Sequence, residues 1–228
     1  MDAKPHTWQT LNDGVSGSLK RTTVEDEMER KIVLLATISM MALAPACIMD
    51  EADWSEEAIA ETSNELSVSD LTFNLPARGG NGGQSGSLNC APDYVAVGIY
   101  GRAGRIIDNL GLTCAPLNTD GSLGASYDTG SRGGTGGNPF RISCPAGQAI
   151  VGFHGRSGGK VDRLGLYCSG VVHWLDQGTV QHTSSSVGGS GGSPFADICP
   201  FAYVATSLVL RTGKRVDQEQ LVCSFINP

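Results

Sequence analysis

Residues 133–168 read GGTGGNPFRISCPAGQAIVGFHGRSGGKVDRLGLYC, and two further versions of this stretch begin at residues 79 and 188. In each copy a GGxGG segment is followed at constant spacing by a cysteine, an arginine, a glycine, an aspartate and a second cysteine. The 36-residue block recurs without insertion or deletion, with a period of 54 and then 55 residues. Such a period indicates repeated structural units, so we expect three equivalent units that share one core.

Alternating apolar and polar residues predict β-strands within each copy. In the second copy, residues 149–156 and 162–168 read as an antiparallel hairpin around a turn at 157–161, which places Cys168 opposite Ile150. A further strand is predicted before each glycine-rich loop, over residues 71–75, 123–127 and 179–183. We therefore expect an all-β domain over residues 71–228, with repeats of about 71–121, 122–178 and 179–228 and roughly four strands in each.

Six of the seven cysteines fall in three pairs, each separated by 24 residues. In an exported chain such cysteines form disulfides, and the predicted hairpin brings the two members of a pair close together. Zinc is the competing interpretation, but the spacing does not match structural zinc sites and none of the four histidines recurs between copies. We therefore expect no metal and no cofactor. The expected disulfides are Cys90–Cys114, Cys144–Cys168 and Cys199–Cys223.

The amino-terminal part has the pattern of an export signal. Residues 28–47 read MERKIVLLATISMMALAPAC, with a basic start, an apolar run and small residues before Cys47. The run is shorter than the roughly 20 residues that span a bilayer, and a cysteine after the small residues resembles a bacterial lipobox. We expect lipidation at Cys47; simple cleavage, or a buried helix of a cytosolic domain, are the alternatives. Residues 1–27 are polar, and the true start is either Met1 or Met28.

The net negative charge of the chain comes mainly from one segment. The net charge is −7, but residues 50–70 hold eight acids and no base, whereas residues 71–228 hold nine acids and eleven bases. Residues 48–70 therefore read as an acidic tether. The nearly neutral body argues against nucleic acid as a partner, and we expect membrane contact only through the lipid anchor. The predicted location is a bacterial membrane surface, or secretion.

Catalytic motifs fit this sequence poorly. Residues 155–159 match G-x-S-x-G, but that motif needs a strand, a turn and a helix, and residues 161–168 are predicted to form a strand. The other copies have Ala103 and Thr212 in place of Ser157. Each copy offers one recurring carboxylate, whereas a glycosidase needs two within about 5–10 Å. We expect no enzymatic activity and no catalytic residue.

The GGxGGxPF segment, the apolar strand after it and the turn that ends in aspartate resemble the jacalin-related lectins. The resemblance covers about residues 71–228, and it is greatest to members that carry both motifs in three copies. It implies the β-prism I fold, in which three four-stranded sheets surround a pseudo-three-fold axis, and it implies carbohydrate binding. The alternative is a structural or protein-interaction module that kept the prism and lost the sugar.

The resemblance also implies the site residues. In the family, the GxxxD turn supplies main-chain N–H groups and an aspartate that accepts hydrogen bonds from adjacent sugar hydroxyls. The glycine-rich loop supplies further N–H groups, because no side chain blocks the approach of the sugar. Loops and turns are expected to meet between neighbouring copies, with the last closing onto the first. The matching residues are Asp108, Asp162 and Asp217, Ile107, Val161 and Val216 before them, and Gly79, Gly80, Gly133, Gly134, Gly188 and Gly189 in the loops.

The turns depart from the family pattern in one respect. Family turns often carry an aromatic residue, whereas these read RII, GKV and KRV at residues 105–107, 159–161 and 214–216. Each turn holds at least one cation, so mannose-like glycans and acidic polysaccharides both remain candidate partners. The repeated arginines, Arg102, Arg156 and Arg211, are expected to pack or pair within the protein rather than contact ligand.

Overall fold

β-Structure dominates residues 65–228, the part of the chain that the computed structural model describes. One short helix, α1 (Val171–Gln177), is the exception. The strands are β1 (Ser67–Asn74), β2 (Arg78–Gly79), β3 (Gln84–Asn89), β4 (Tyr94–Ala103), β5 (Ile107–Pro116), β6 (Tyr127–Gly133), β7 (Asn138–Ser143), β8 (Gln148–Ser157), β9 (Val161–Gly170), β10 (His182–Thr183), β11 (Val187–Gly188), β12 (Ser193–Ile198), β13 (Tyr203–Thr212) and β14 (Val216–Asn227).

Each of the three sheets is built around one long hairpin. The first-copy hairpin, β4 and β5, is flanked by β6 and β7, and the second-copy hairpin, β8 and β9, by β10, β11 and β12. The third-copy hairpin, β13 and β14, is flanked by β1, β2 and β3 from the beginning of the domain. Every hairpin thus pairs with the strands around the glycine-rich loop of the next copy, and the last copy closes onto the first. The architecture is the β-prism I that the resemblance implied.

Inward-facing side chains of the three sheets form the core of the prism. Ile99, Phe153 and Leu208 occupy the same place in the three copies, and none is more than 1% exposed. A second cluster lies where the hairpins begin, opposite their turns, and Trp174 of α1 belongs to it. The indole N–H of Trp174 donates to the carbonyl of Tyr203 at 2.8 Å. The helix therefore closes the end of the prism that is remote from the hairpin turns.

The three predicted disulfides are confirmed. In each pair the first cysteine follows an edge strand of one sheet, and the second lies in the hairpin of the next sheet, so the bonds join all three sheets. The predicted register is also confirmed, because Cys168 pairs with Ile150. The Cα–Cα distances are 5.6 Å for Cys90–Cys114, 5.7 Å for Cys144–Cys168 and 6.0 Å for Cys199–Cys223.

The strand before each glycine-rich loop differs from the prediction. In the second copy it is β6, which begins where the predicted strand at 123–127 ends. In the first copy it is divided into β1 and β2 around Pro76, which has no N–H to donate to the ladder. In the third copy it is divided into β10 and β11, where the side chain of Ser184 accepts the N–H of Leu166 at 2.8 Å. Two sheets therefore have five strands rather than four.

Two further expectations are corrected at the borders of the repeats. The domain begins before residue 71, since β1 starts at Ser67 and the N–H of Leu66 donates to the carbonyl of Thr119 at 3.0 Å. Helix α1 was not predicted, because its seven residues are too short for a clear helical period. The export signal, Cys47 and residues 48–64 of the tether lie outside the described residues. Between residues 65 and 228, no helix is long and apolar enough to cross a membrane.

Candidate functional site

The three repeated aspartates take the same place, as the second residue of the second hairpin strand. The residue before each aspartate is fully buried in the core. Each aspartate lies at a β-bulge, where the register of the hairpin shifts, and its carboxylate points toward a glycine-rich loop rather than into the core. The buried neighbours can therefore reach a ligand only through their backbone, which limits the role predicted for them. The pairs are Ile107 and Asp108 in β5, Val161 and Asp162 in β9, and Val216 and Asp217 in β14.

Each carboxylate lies against the glycine-rich loop of the next copy. A Cβ atom added to the fifth residue of the loop would fall 2.6 to 2.8 Å from the carboxylate Oδ2, which excludes any side chain there. The φ angles of these residues, +62° to +67°, also favour glycine. The expected meeting of loops and turns between neighbouring copies is thus confirmed. The pairs are Gly137 with Asp108, Gly192 with Asp162 and Gly83 with Asp217.

Each loop also contacts the turn of the remaining copy. The second glycine of the loop packs so closely on a carbonyl of that turn that a Cβ atom would overlap it. Each aspartate therefore lies in a cleft whose walls come from all three copies, and the three clefts form a closed ring at one end of the prism. The contacts are Gly80 with Gly159, Gly134 with Lys214, and Gly189 with Arg105.

The backbone corrects the expected loop donors. The N–H groups of Gly80, Gly134 and Gly189 donate to the main-chain carbonyls of the three aspartates at 2.8 Å. The first glycines, at 79, 133 and 188, pair with the hairpin strands. By contrast, no backbone carbonyl within residues 65–228 accepts the N–H of the third or fourth residue of a loop. The fourth residue of each loop lies against the carboxylate, so these N–H groups are better placed to donate to a ligand.

The repeated arginines hold the loops in position. Arg102 donates to the carbonyl of Gly136 at 2.9 Å and to that of Gly137 at 2.6 Å. Arg156 makes the same two bonds in the third-copy loop. Arg211 makes both in the first-copy loop and also donates to the carbonyl of Asn81. In a planar trans peptide the N–H and the carbonyl point in opposite directions. When an arginine holds a loop carbonyl, the N–H of the same peptide group therefore points away from the arginine. The arginines pair within the protein, as expected, and are positioning residues.

The cleft at Asp162 is a groove of about 670 Å³. Arg105 and Ile106 of the first copy, Lys160 and Asp162 of the second, and residues 189–191 of the third line it. Asp162 is only 6% exposed. Arg163 steadies the loop, because its Nε donates to the carbonyl of residue 189 at 2.8 Å. The groove therefore offers a carboxylate, loop N–H groups and two cations to one ligand.

The cleft at Asp217 differs from the one at Asp162. Arg215, in the turn directly before it, forms an ion pair with the carboxylate, with 3.2 Å between Nε and Oδ1. This cation occupies the position that Lys160 has in the second copy. The carboxylate of Asp217 is therefore already partly neutralised within the protein.

Glu219, two residues after Asp217 in β14, is a buried acid whose significance was not predicted from the sequence. Glu219 is 2% exposed, and its Oε2 has no hydrogen-bond partner within the described residues. It pairs across the sheet with Arg78, whose guanidinium forms an ion pair with Asp197 at 2.6 Å. The pKa of Glu219 is raised to about 8: burial is the largest cause, the charge of Asp197 adds to the rise, and Arg78 opposes both. The signal was present in the sequence, since the other copies have leucine at this position.

Two other chemistries find no support among the described residues. Residues 65–228 contain no group of three histidine, cysteine or acidic side chains arranged to hold a metal ion. Ser157 ends β8, and the chain returns as β9 rather than as a helix. The G-x-S-x-G match therefore lacks the strand-turn-helix setting that a nucleophile needs.

Comparisons with known proteins show what the domain is similar to. The family model of the Jacalin-like lectin domain matches residues 120–167, which include the Asp162 turn. Among curated proteins, none matches the sequence. The fold is nevertheless similar to solved jacalin-related lectins along nearly their whole length.

Three of these solved structures illustrate the similarity. A lectin from Malaysian banana is 23% identical with a TM-score of 0.51, covering 67% of this chain and 98% of its own. A mannose-binding jacalin-related lectin from Ananas comosus is 19% identical with a TM-score of 0.51, covering 67% and 96%. A mannose-specific jacalin-related lectin from Morus nigra, solved with mannose, is 15% identical with a TM-score of 0.53, covering 69% and 97%. At these identities the similarity establishes the fold.

Proposed function

We propose that the domain binds carbohydrate in the clefts at Asp108, Asp162 and Asp217. The observation that carries the proposal is the threefold repetition of one constellation: an outward carboxylate against a glycine-rich loop whose third and fourth N–H groups have no backbone acceptor. A carboxylate accepts hydrogen bonds from two adjacent hydroxyls, and the N–H groups donate to the oxygens of the same ring. This complementarity suits the hydroxyl-rich edge of a sugar.

The similar lectins support this proposal. Those from Ananas comosus and Morus nigra are described as mannose-binding and mannose-specific, so mannose is a candidate ligand here. In having both motifs in three copies, this chain resembles griffithsin, a jacalin-related lectin that carries the same motifs three times. Three clefts on one rigid end would bind repeated glycans with an avidity that exceeds that of any single cleft.

The proposed cellular role is recognition of glycans at a cell surface. The signal-like segment at 28–47 and the acidic run at 50–70 support export and, through Cys47, a lipid anchor. With the domain tethered in this way, its clefts would be presented to glycans outside the cell. Adhesion to other cells and retention of polysaccharide are both consistent with this placement.

A glycan array with the full chain tests the proposed binding. The triple variant Asp108→Asn/Asp162→Asn/Asp217→Asn keeps the side-chain shapes but removes the three carboxylates. Since a hydrogen bond to a charged group contributes about 1.5–3 kcal/mol, each cleft should lose roughly 10- to 100-fold in affinity. Asp176→Asn is the matched control, because Asp176 is exposed and lies in α1, at the opposite end of the prism.

Retained binding by the folded triple variant would contradict the assignment of the clefts. Absence of binding by both the wild-type chain and the control would favour the alternative function, a scaffold for protein interactions. Circular dichroism of each variant, with the disulfides intact, separates loss of binding from loss of fold.

A further inference from the structure

We propose that the cleft at Asp162 selects sugars that carry an anionic group, with Arg105 and Lys160 as the residues that bind the anion. This inference rests on the proposed carbohydrate binding and specifies its substrate class. The two cations come from different copies, yet they line the same groove as Asp162. Neither belongs to any of the three ion pairs found within residues 65–228.

The three clefts differ in the cations that border them. Two turns border each cleft. The turn that leads into the cleft's own aspartate contributes its last residues, and the turn of another copy contributes its first residue. At Asp162 these positions hold Lys160 and Arg105, which are both free of ion pairs in the described part of the chain. The cleft therefore has two cations for one carboxylate.

The other two clefts have fewer available cations. At Asp108 the position of Lys160 is occupied by Ile106, and the bordering turn contributes Lys214. At Asp217 the turn before the aspartate contributes Arg215, but this cation is paired with the aspartate itself. The turn from the other copy contributes a glycine. The number of available cations thus falls from two to one to none around the ring. A pseudo-symmetric prism presents three chemically different clefts.

The arrangement also dictates how an anionic sugar would lie. Asp162 repels an anion, so the charged group must face Arg105 and Lys160, while hydroxyls face the carboxylate. A guanidinium binds a carboxylate or sulfate through two parallel N–H bonds, and a lysine adds a compact charge. Uronic acids and sulfated sugars share this chemistry, because both present an anion on a ring that keeps free hydroxyls.

The test uses full-length proteins that each keep one aspartate, with the other two replaced by asparagine. Affinity is measured for trimannuronate against mannotriose, and for trigalacturonate and a sulfated galactotriose against galactotriose, in 50 mM and 500 mM NaCl. We expect the ratio of acidic to neutral affinity to be highest in the protein that keeps Asp162, intermediate with Asp108 and lowest with Asp217. The ratio should fall at high salt, because salt screens partly exposed charges.

Variants of the two cations complete the test in the protein that keeps Asp162. Arg105→Ala and Lys160→Ala should each lower affinity for the acidic probes about tenfold, the lower end of what a charge-assisted hydrogen bond contributes. Affinity for the neutral probes should fall much less, so the ratio of acidic to neutral affinity should fall. Lys214→Ala is the charge-matched control, because Lys214 does not line this groove.

The outcomes separate this inference from the proposed function. Equal ratios in the three proteins, or no effect of Arg105→Ala and Lys160→Ala, would overturn the selection of anionic sugars while leaving carbohydrate binding intact. A preference for sulfated over uronate probes, or the reverse, supports the inference and identifies the anion. If no probe binds any of the proteins, carbohydrate binding and the inference fail together.

Discussion

The buried acid at position 219 makes the stability of the domain depend on pH. Glu219 is 2% exposed, and its pKa in the folded chain is about 8 against an ordinary value of 4.5. Between these two values, the folded chain keeps a proton that the unfolded chain releases. The free energy of unfolding therefore falls as pH rises through this window, and it levels off above pH 8.

The size of the effect follows from the two pKa values. One unit corresponds to about 1.4 kcal/mol, so at pH 7 the acid lowers the free energy of unfolding by about 3 kcal/mol relative to a side chain that does not titrate. Glu219→Gln should therefore match the wild-type stability near pH 4 and exceed it by about 3 kcal/mol at pH 7. Glu219→Leu, which restores the residue of the other two copies, should lose the same pH dependence.

Urea unfolding with intact disulfides, followed by far-ultraviolet circular dichroism from pH 4 to pH 9, measures this difference. The quantity of interest is the wild-type value minus the variant value, because all other titrating groups are common to both chains. Asp176→Asn, an exposed acid in α1, is the control and should show no such slope. A difference between wild type and Glu219→Gln that stays constant across the pH range would refute the assignment of Glu219 as a buried, protonated acid.

Three further predictions concern the clefts, the arginines that hold their loops, and the disulfides. Gly191→Ala should remove sugar binding at Asp162, because the new Cβ would overlap Oδ1 of that carboxylate; isothermal titration calorimetry of a single-cleft protein checks this, and unchanged affinity would contradict it. Arg156→Ala removes two bonds to loop carbonyls, so we expect weaker sugar binding and about 1–2 kcal/mol lower stability in urea unfolding; wild-type values for both would contradict the positioning role. Replacing Cys144 and Cys168 with alanine opens a loop with a sequence separation of 24 and should lower stability by about 3 kcal/mol; an unchanged urea midpoint would contradict this.

Much of the fold could be predicted from the sequence because its determinants are local. The turn before Asp162 and the alternating residues on either side of it define a hairpin, and the hairpin sets Cys168 opposite Ile150. The constant spacing of 24 residues then predicts all three disulfides. Repetition strengthened these predictions, since each pattern could be checked against two other copies. Where the copies differ, as at Pro76 and in α1, the prediction of strands and borders was less accurate.

The candidate site was predicted only in outline. The three aspartates and the glycine-rich loops were identified, but the first two glycines were expected to donate to sugar. In the structure the N–H of Gly80 donates to the main-chain carbonyl of Asp217, and Gly82, the fourth residue of the loop, lies against the carboxylate instead. A backbone hydrogen bond between segments more than 130 residues apart leaves no local sequence signal.

The sequence by itself therefore determined the hairpins, the disulfides and the positions of the aspartates, since each depends on residues within one repeat. Only the tertiary structure decided how the clefts differ from one another. Arg105 reaches the groove of Asp162 because a loop from the third copy lies between turns of the first two. Glu219 is buried beside Arg78 and Asp197 for the same kind of reason, since three strands distant in sequence meet there. Charges that meet across a closed prism act through space, and sequence spacing records only neighbours along the chain.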